Sequence, residues 1–340
     1  MDARHAQWAA RGPVLLAGYK HRVGYHCSST SLWNILAYDG VEVSEALAFG
    51  LGGGLGFFYL EDDRLTPSRV LNGRAPDLEG SFFAHAGRPL EWAGRWDPAA
   101  MESCLRRGRP VLAQTDLFHL PYYQPPVHFP GHGVVVTGLD LRTGTVDISD
   151  QGFPEVQRTA LENLRLAMEG VAPPLLPAPY RWAEAPRLTQ QRLSDPEAFR
   201  AAIAQTRRLM AGEVYAHQGL PALARLAEGL PRWMAAPDFG WCARFAYQSI
   251  EKRGTGGGAF RYLYGSFLRE AAAILPSLAQ SRAPALYESA GDGWRALAGA
   301  FKEVFVANDP SRFAACAVQA RALLELEKRA LDALSLAIES

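Results

Sequence analysis

HCSSTSLWNIL, residues 26–36, is the segment on which the fold prediction depends most. Leu32, Ile35 and Leu36 recur within it at helical spacing, which predicts a helix with one apolar face. Cys27 lies where a loop enters this helix, and the first-turn amides together with the helix dipole would stabilise a thiolate there. Most cysteines are small buried core residues, so simple packing is the alternative to a reactive thiol.

A histidine and an aspartate follow in an order that would assist a thiolate. His132 immediately precedes the predicted strand GVVVTGLD, and Asp150 follows the next predicted strand, GTVDIS. The start of one antiparallel strand lies beside the end of its neighbour, so the carboxylate would orient the imidazole as a base. Asp147 points the other way by strand alternation, and we therefore choose Asp150. A structural histidine is the alternative, because base and nucleophile must also meet in space.

The surrounding pattern predicts a mixed domain of helices and strands. Asp97 is a predicted N-cap of a helix that ends at Gly108, and residues 109–115 follow as a strand. Thr159 with Glu162 has the spacing of a capping box before a further helix. The N-terminal part is therefore assigned to the α+β class.

A chain of 340 residues exceeds what one hydrophobic core usually organises, so two domains are expected. The segment GVAPPLLPAPY is too rich in proline to continue a helix, which places a linker at residues 171–193. The catalytic domain then spans residues 1–170. Residues 194–340 show long patterns rich in Ala, Leu, Arg and Glu, which predict an all-helical C-terminal domain.

Composition excludes several function classes. Basic and acidic residues balance at 35 each, so no overall charge draws the protein to nucleic acid or to an anionic membrane. The first apolar run, residues 14–17, is too brief for a signal peptide, and we expect a cytoplasmic protein without a membrane partner. The four cysteines lack the spacing of a zinc site or a disulfide framework, so neither metal nor other cofactor is expected. Cys104, Cys242 and Cys316 fall in helical patterns and are interpreted as core residues.

The order of Cys27, His132 and Asp150 resembles that of papain-like cysteine enzymes. Three N-terminal segments are also similar to the family of the butirosin-biosynthesis acyltransferase BtrH: HCSSTSLWNILAYDG, SEALAFGLGGGLGFFYL and GHGVVVTGLD. Further along, GTGGGAFRYLYGSFLREAA (residues 254–272) resembles the helical domain of unassigned function that commonly follows in this family.

The resemblance implies a papain-like N-terminal fold and acyl transfer from a carrier-protein thioester to a small-molecule amine, in secondary-metabolite biosynthesis. Cys27 and His132 match the presumed nucleophile and base, while Asp150 matches the third position by spacing. Papain-like enzymes use Asn at that third position. They also carry a Gln shortly before the cysteine for the oxyanion hole, where this chain reads GYKHR, residues 18–22. The Cys27 backbone amide is then the safest oxyanion donor.

Three further residues are candidates for substrate binding. His26 either binds substrate or caps the helix of Cys27. The glycine cluster at 254–258, with Arg253 and Arg261, either binds an anion such as a carrier's phosphopantetheine phosphate or forms a helix-to-helix turn.

Two other functions remain open from the sequence. A peptidase or amidase would use the same Cys27 and His132 with water as the final acceptor. A binding protein on the same scaffold would leave the thiol merely packed. The oligomeric state is also open, a homo-oligomer included.

Overall fold

The computed structural model describes residues 12–124, 126–170 and 178–339. The chain forms two compact units. The first unit comprises Met1–Glu45 and Gly87–Gln190, and the second unit comprises Ala46–Ala86 and Gln191–Ser340.

In chain order, the strands are β1 (Val14–Leu15), β2 (Leu55–Glu61), β3 (Arg69–Arg74), β4 (Ala93–Gly94), β5 (Val111–Thr115), β6 (His132–Asp140), β7 (Thr145–Ser149), β8 (Gln157–Ala160) and β9 (Arg181–Glu184). The α-helices are α1 (Cys27–Tyr38), α2 (Glu45–Leu51), α3 (Leu78–His85), α4 (Pro98–Arg106), α5 (Leu161–Glu169), α6 (Pro196–Ala211), α7 (Gly219–Gly229), α8 (Phe239–Glu251), α9 (Arg261–Ala271), α10 (Pro276–Gln280), α11 (Ala283–Ala307) and α12 (Phe313–Glu339). Short 3-10 turns lie between several of them.

The first unit is built on an antiparallel sheet with the strand order β4-β9-β5-β6-β7-β8, and β1 pairs with β6. β6 lies near the middle, and its residues from His132 to Leu139 are all buried. Its alternate valines, Val134 and Val136, pack with Val111 of β5 and Ile148 of β7 in one apolar core. This buried central strand places His132, its first residue, at one end of the sheet.

The local predictions for the first unit are largely confirmed. α4 begins after an Asp97 N-cap whose side chain accepts from the Ala100 amide at 3.0 Å, and the predicted strand and hairpin appear as β5, β6 and β7. The capping box is wrong. Thr159 pairs with Val146 as part of β8, and α5 starts at Leu161 without a side-chain cap. Pairing of β8 with β7 extends through Ala160, so Thr159 is already committed to extended backbone.

Part of the predicted linker is a strand. Residues 171–177 of it lie outside the described residues, but Arg181–Glu184 forms β9, which pairs with both β4 and β5. Trp182 lies on this strand, and its indole nitrogen donates to the Arg95 carbonyl at 2.8 Å. The sheet therefore takes up part of the segment that proline content assigned to a linker.

The second unit is mainly helical, as predicted for the C-terminal part of the chain. It also includes the β2–β3 hairpin, because residues 46–86 cluster with it. The predicted boundary at residue 170 places this segment in the first domain instead. Phe49 stacks on Phe260 at 5.5 Å between ring centroids, and Phe57 packs against Trp294 at 5.1 Å. These apolar contacts explain the grouping, since large aromatic rings bury the most surface.

Two long helices, α11 and α12, supply much of the second unit's core. Trp294, Phe301 and Phe313 are among its fully buried side chains. Within residues 12–124, 126–170 and 178–339, no helix is both long and apolar enough to span a lipid bilayer.

Candidate active site

Cys27 is the first residue of α1 and is buried. His26 is the N-cap, and its Nδ1 accepts a hydrogen bond from the Ser29 amide at 3.4 Å. Because the first amides of a helix have no preceding carbonyl within it, the Cys27 N–H takes no part in the intrahelical hydrogen bonds of α1. His26 thus caps the helix, one of its two predicted roles.

A buried carboxylate fixes the loop that leads to Cys27. Glu45 accepts from the amides of Tyr25 and His26, at 2.9 and 2.8 Å. It also accepts from the hydroxyls of Ser29 and Thr30, at 2.9 and 3.0 Å. Sequence reasoning missed Glu45, since no local pattern connects it with a loop some twenty residues earlier.

His132 and Asp150 meet as the strand arrangement predicts. The His132 Nε2 donates to the Asp150 carboxylate, with both oxygens at 3.0 Å, and both side chains are buried. Asp147 instead pairs with Arg158 at 2.7 Å on the sheet. Asp150 is therefore the acid that faces the histidine. Because Asp150 occupies Nε2, the other ring nitrogen, Nδ1, is available to Cys27.

Two tyrosines that the sequence did not single out complete the surroundings of Asp150. The Tyr123 hydroxyl donates to its Oδ1 at 2.9 Å and lies 3.4 Å from His132 Nε2. The Tyr122 hydroxyl donates to its Oδ2 at 3.3 Å. The only sequence signal is their position just before the strand that carries His132, which is too general to be used as a rule.

The electrostatics of the site favour an ion pair between Cys27 and His132. Burial would raise the pKa of the Cys27 thiol, but its interactions with the neighbouring His26 and His132 side chains hold that pKa well below its usual range. Burial would likewise lower the pKa of His132, yet Asp150 and then Cys27 raise it to about 10. The pKa of Asp150 is lowered despite burial, because His132 and Tyr123 stabilise the anion. These shifts favour a Cys27 thiolate beside a His132 imidazolium at neutral pH.

The other three cysteines behave in the opposite way. Burial raises the pKa of Cys104 and Cys242 to about 11, and that of Cys316 to about 12. All three lie on helices and pack in the interior, as the sequence indicated. Among the four cysteines, Cys27 is the one whose pKa is lowered, and it is the one with imidazoles beside it.

His21, which lies shortly before Cys27, is not free to complete an oxyanion hole. Its Nε2 donates to the Phe153 carbonyl at 2.7 Å, and its Nδ1 bonds the Ser149 hydroxyl at 2.8 Å. Both ring nitrogens are thus engaged within the protein. The Cys27 backbone amide therefore stays the predicted donor to the oxyanion.

The glycine cluster at 254–258 is arranged as a turn rather than an anion site. The Gly257 amide donates to the Thr255 hydroxyl, and the Gly258 amide donates to the Glu251 carboxylate, both at 2.9 Å. Arg253 packs over the Phe245 ring and donates to the Gln248 side chain at 3.0 Å. Protein groups therefore occupy two amides of the cluster and one donor of Arg253, which favours the turn.

Arg261 is fully buried, contrary to its predicted role in substrate binding. Its Nε donates to Glu327 at 2.6 Å, and its Nη1 donates to three backbone carbonyls, those of Gly56, Gly73 and Ala259. These bonds hold the β2–β3 hairpin to the turn before α9. The residue is structural.

Comparison with known families gives two matches. The model of the N-terminal domain of butirosin biosynthesis protein H matches residues 26–151, and that of a domain of unknown function (DUF4872) matches residues 164–334. The chain belongs to the butirosin biosynthesis protein H-like family with this two-domain architecture. The first family match begins at His26 and ends just after Asp150, so it contains all three residues of the site. Comparison with curated proteins gives no match.

Within the residues that the structure describes, no group of three or more His, Cys, Asp or Glu side chains is placed to hold a metal ion.

Proposed function

We propose that this protein is a cysteine-dependent acyltransferase that moves an acyl group from a thioester to an amine. The observation that supports it most is the Cys27 thiol held beside His132, which is itself held by Asp150. Nucleophile, base and orienting acid in this order form the arrangement that covalent acyl transfer requires. A papain-like fold of the first unit is part of the proposal, supported by the helix-start cysteine and the strand-start histidine.

In the first half-reaction, the Cys27 thiolate would attack the thioester carbonyl carbon and form a tetrahedral oxyanion. The Cys27 amide at the start of α1 would donate to that oxyanion. Collapse breaks the bond to the donor's sulfur, and the His132 imidazolium gives its proton to the departing thiolate. The products are a free thiol and an acyl-Cys27 beside a neutral His132.

In the second half-reaction, an amine would attack the acyl-Cys27 carbonyl. Neutral His132 takes a proton from the attacking nitrogen, which forms the amide bond as the Cys27 thiolate leaves. The thiolate–imidazolium pair is thereby restored. Asp150 stabilises the imidazolium without itself accepting the proton.

The donor and acceptor classes come from the family resemblance. The name of the matched family, a butirosin biosynthesis protein, supports a biosynthetic role. An acyl carrier protein or another thioester is the proposed donor, and a small-molecule amine is the proposed acceptor. We also place the enzyme in the cytoplasm, where thiols such as these stay reduced.

Incubation with an acyl thioester, with and without a primary amine, tests the proposal. Intact-protein mass spectrometry should show one acyl group on Cys27, and the amine should divert product from acid to amide. Cys242→Ala is the matched control and should acylate like the wild type, since that thiol is packed in the second unit. Acid formation regardless of amine would favour a peptidase or amidase, and absence of any acyl-enzyme would favour a binding protein.

A further inference from the structure

Asp150 has more hydrogen-bond donors around it than orientation of one histidine requires. Its carboxylate accepts from His132, from the Tyr122 and Tyr123 hydroxyls, and from the Gly152 amide at 3.5 Å. The side chain is fully buried, so bulk solvent does not reach it. A carboxylate can satisfy all of them, because its two oxygens accept about four bonds.

An asparagine at the same position would fit this surrounding poorly. Its amide has one oxygen and one NH₂ group, so only one of the two positions now filled by carboxylate oxygens could still accept from its neighbours, and the His132 Nε2 would lose one of its two acceptors. A buried donor left against another donor loses its partner at a cost. The surroundings of residue 150 are therefore complementary to Asp, although Asn is the residue that papain-like enzymes use there.

The two phenols are suited to remain donors. Burial raises the pKa of both Tyr122 and Tyr123, and the Asp150 charge raises it further, so neither ionises near neutral pH. Their rings are also fixed by packing. Each makes an edge contact with Phe153 at 5.0 Å between centroids, and Tyr123 makes another with His132 at 5.7 Å.

The chain on both sides of the tyrosines is anchored by a second buried acid. Asp116 accepts from the Phe118 amide at 3.2 Å on one side, and from the Phe129 amide at 2.8 Å on the other. The His128 Nδ1 lies 2.7 Å from the same carboxylate. The segment that carries the phenols is thereby held at both ends.

We propose that Tyr122 and Tyr123 are positioning residues that fix the Asp150 carboxylate against His132, so that this site requires Asp and not Asn at position 150. The inference rests on the proposed function, because it concerns how the Cys27 nucleophile is kept ionised. The phenols act on Cys27 through Asp150 and His132. They contribute no group to the reacting atoms.

The test is the pH profile of Cys27 alkylation by iodoacetamide, mapped by peptide mass spectrometry, which needs no knowledge of the substrate. Loss of the Tyr123 hydroxyl should make the Asp150 anion less stable and less well positioned against His132. The His132 imidazolium is then less stabilised, so the thiolate of Cys27 should form only at a higher pH. For Tyr123→Phe we expect this midpoint to rise by about one pH unit, a tenfold loss of thiolate below it. Tyr122→Phe, with its longer bond, should shift it less.

Asp150→Asn should shift the midpoint more than either tyrosine variant, because the charge itself is lost. Its effect should be smaller in the Tyr123→Phe background, since residues that act through one network are not additive. Tyr38→Phe is the matched control, because this tyrosine ends the same helix that Cys27 begins, and it should leave the profile unchanged.

The outcomes separate the two proposals. A wild-type midpoint at acidic pH that none of the three variants moves would overturn this inference and leave the Cys27 nucleophile intact. An Asp150→Asn variant with the wild-type midpoint would also overturn it. A wild-type Cys27 that reacts like an ordinary thiol would contradict the proposed function, and this inference with it. Thermal melts of each variant confirm that the protein measured is folded.

Discussion

His132 with Asp150 in the first unit, and Arg261 with Glu327 in the second, are both buried pairs of a cation and a carboxylate. Arg261 donates hydrogen bonds to Glu327 and to three backbone carbonyls. Its guanidinium does not release its proton in proteins. His132 has one nitrogen on Asp150, and its imidazolium, unlike a guanidinium, can give up its proton during a reaction and take it back.

The comparison shows that a buried charge does not by itself mark a catalytic site. Around Arg261 every nearby partner is a fixed acceptor, so the pair joins elements of the second unit. Around His132 one partner is the Cys27 thiol, which can become an anion by giving its proton to the imidazole. What distinguishes the functional pair is a cation with an exchangeable proton next to a nucleophile.

The largest expected effect comes from Cys27→Ala. The thiol supplies the covalent step and little packing, so turnover should fall by at least about a thousandfold while the fold is kept. Amide formation from an acyl thioester measures the rate, and circular dichroism measures the fold. Retention of a tenth of the activity would mean that the nucleophile is misassigned.

His132→Ala should be nearly as damaging in the same assay. Residues that act as a unit are not additive, so the variant lacking both Cys27 and His132 should be hardly worse than either single change. Effects that multiply in the double variant would contradict a shared role.

Glu327→Gln should affect folding and not chemistry. Removing one partner of a buried ion pair leaves the other charge uncompensated, so the free energy of unfolding should fall by about 3–5 kcal/mol. Urea denaturation followed by tryptophan fluorescence reports it, since Trp294 donates to Glu327 at 2.6 Å.

The matched control for that change is Glu325→Gln on the same helix. Glu325 is exposed and pairs with Lys328, and surface pairs contribute little. If folded Glu327→Gln loses the reactivity of Cys27, the structural interpretation of this pair is wrong.

The residues of the site that could be predicted are those placed by local rules. A cysteine at a helix start, a histidine at a strand start and an acid after the next strand follow from pattern and from the geometry of a hairpin. Glu45, Tyr122 and Tyr123 could not be predicted in this way. Glu45 is the first residue of α2, and the two tyrosines lie in the connection between β5 and β6. Their positions at the site depend on tertiary contacts that periodicity does not encode.

The boundaries of the two compact units were harder to predict than the individual helices and strands. Strand β9 follows a proline-rich stretch that argues for a linker, yet it completes the sheet beside β5. The segment 46–86 has the apolar pattern of any hairpin and helix, and this pattern does not say which core the segment joins. Arg261 was misplaced for a related reason, since a charged residue near glycines gives no sign that it is buried.

Alkylation of Cys27 by iodoacetamide at pH 6 tests the central claim most directly. A thiol with an ordinary pKa is almost entirely protonated at that pH. Because the pKa of Cys27 is lowered, its thiolate is present at every pH above that pKa. Because the pKa of His132 is raised to about 10, its imidazolium is present at every pH below that pKa. The ion pair should therefore react at pH 6 nearly as fast as at pH 8, with Cys104, Cys242 and Cys316 as unreactive internal references. A Cys27 rate that rises about tenfold per pH unit between pH 6 and pH 8 would contradict the ion pair.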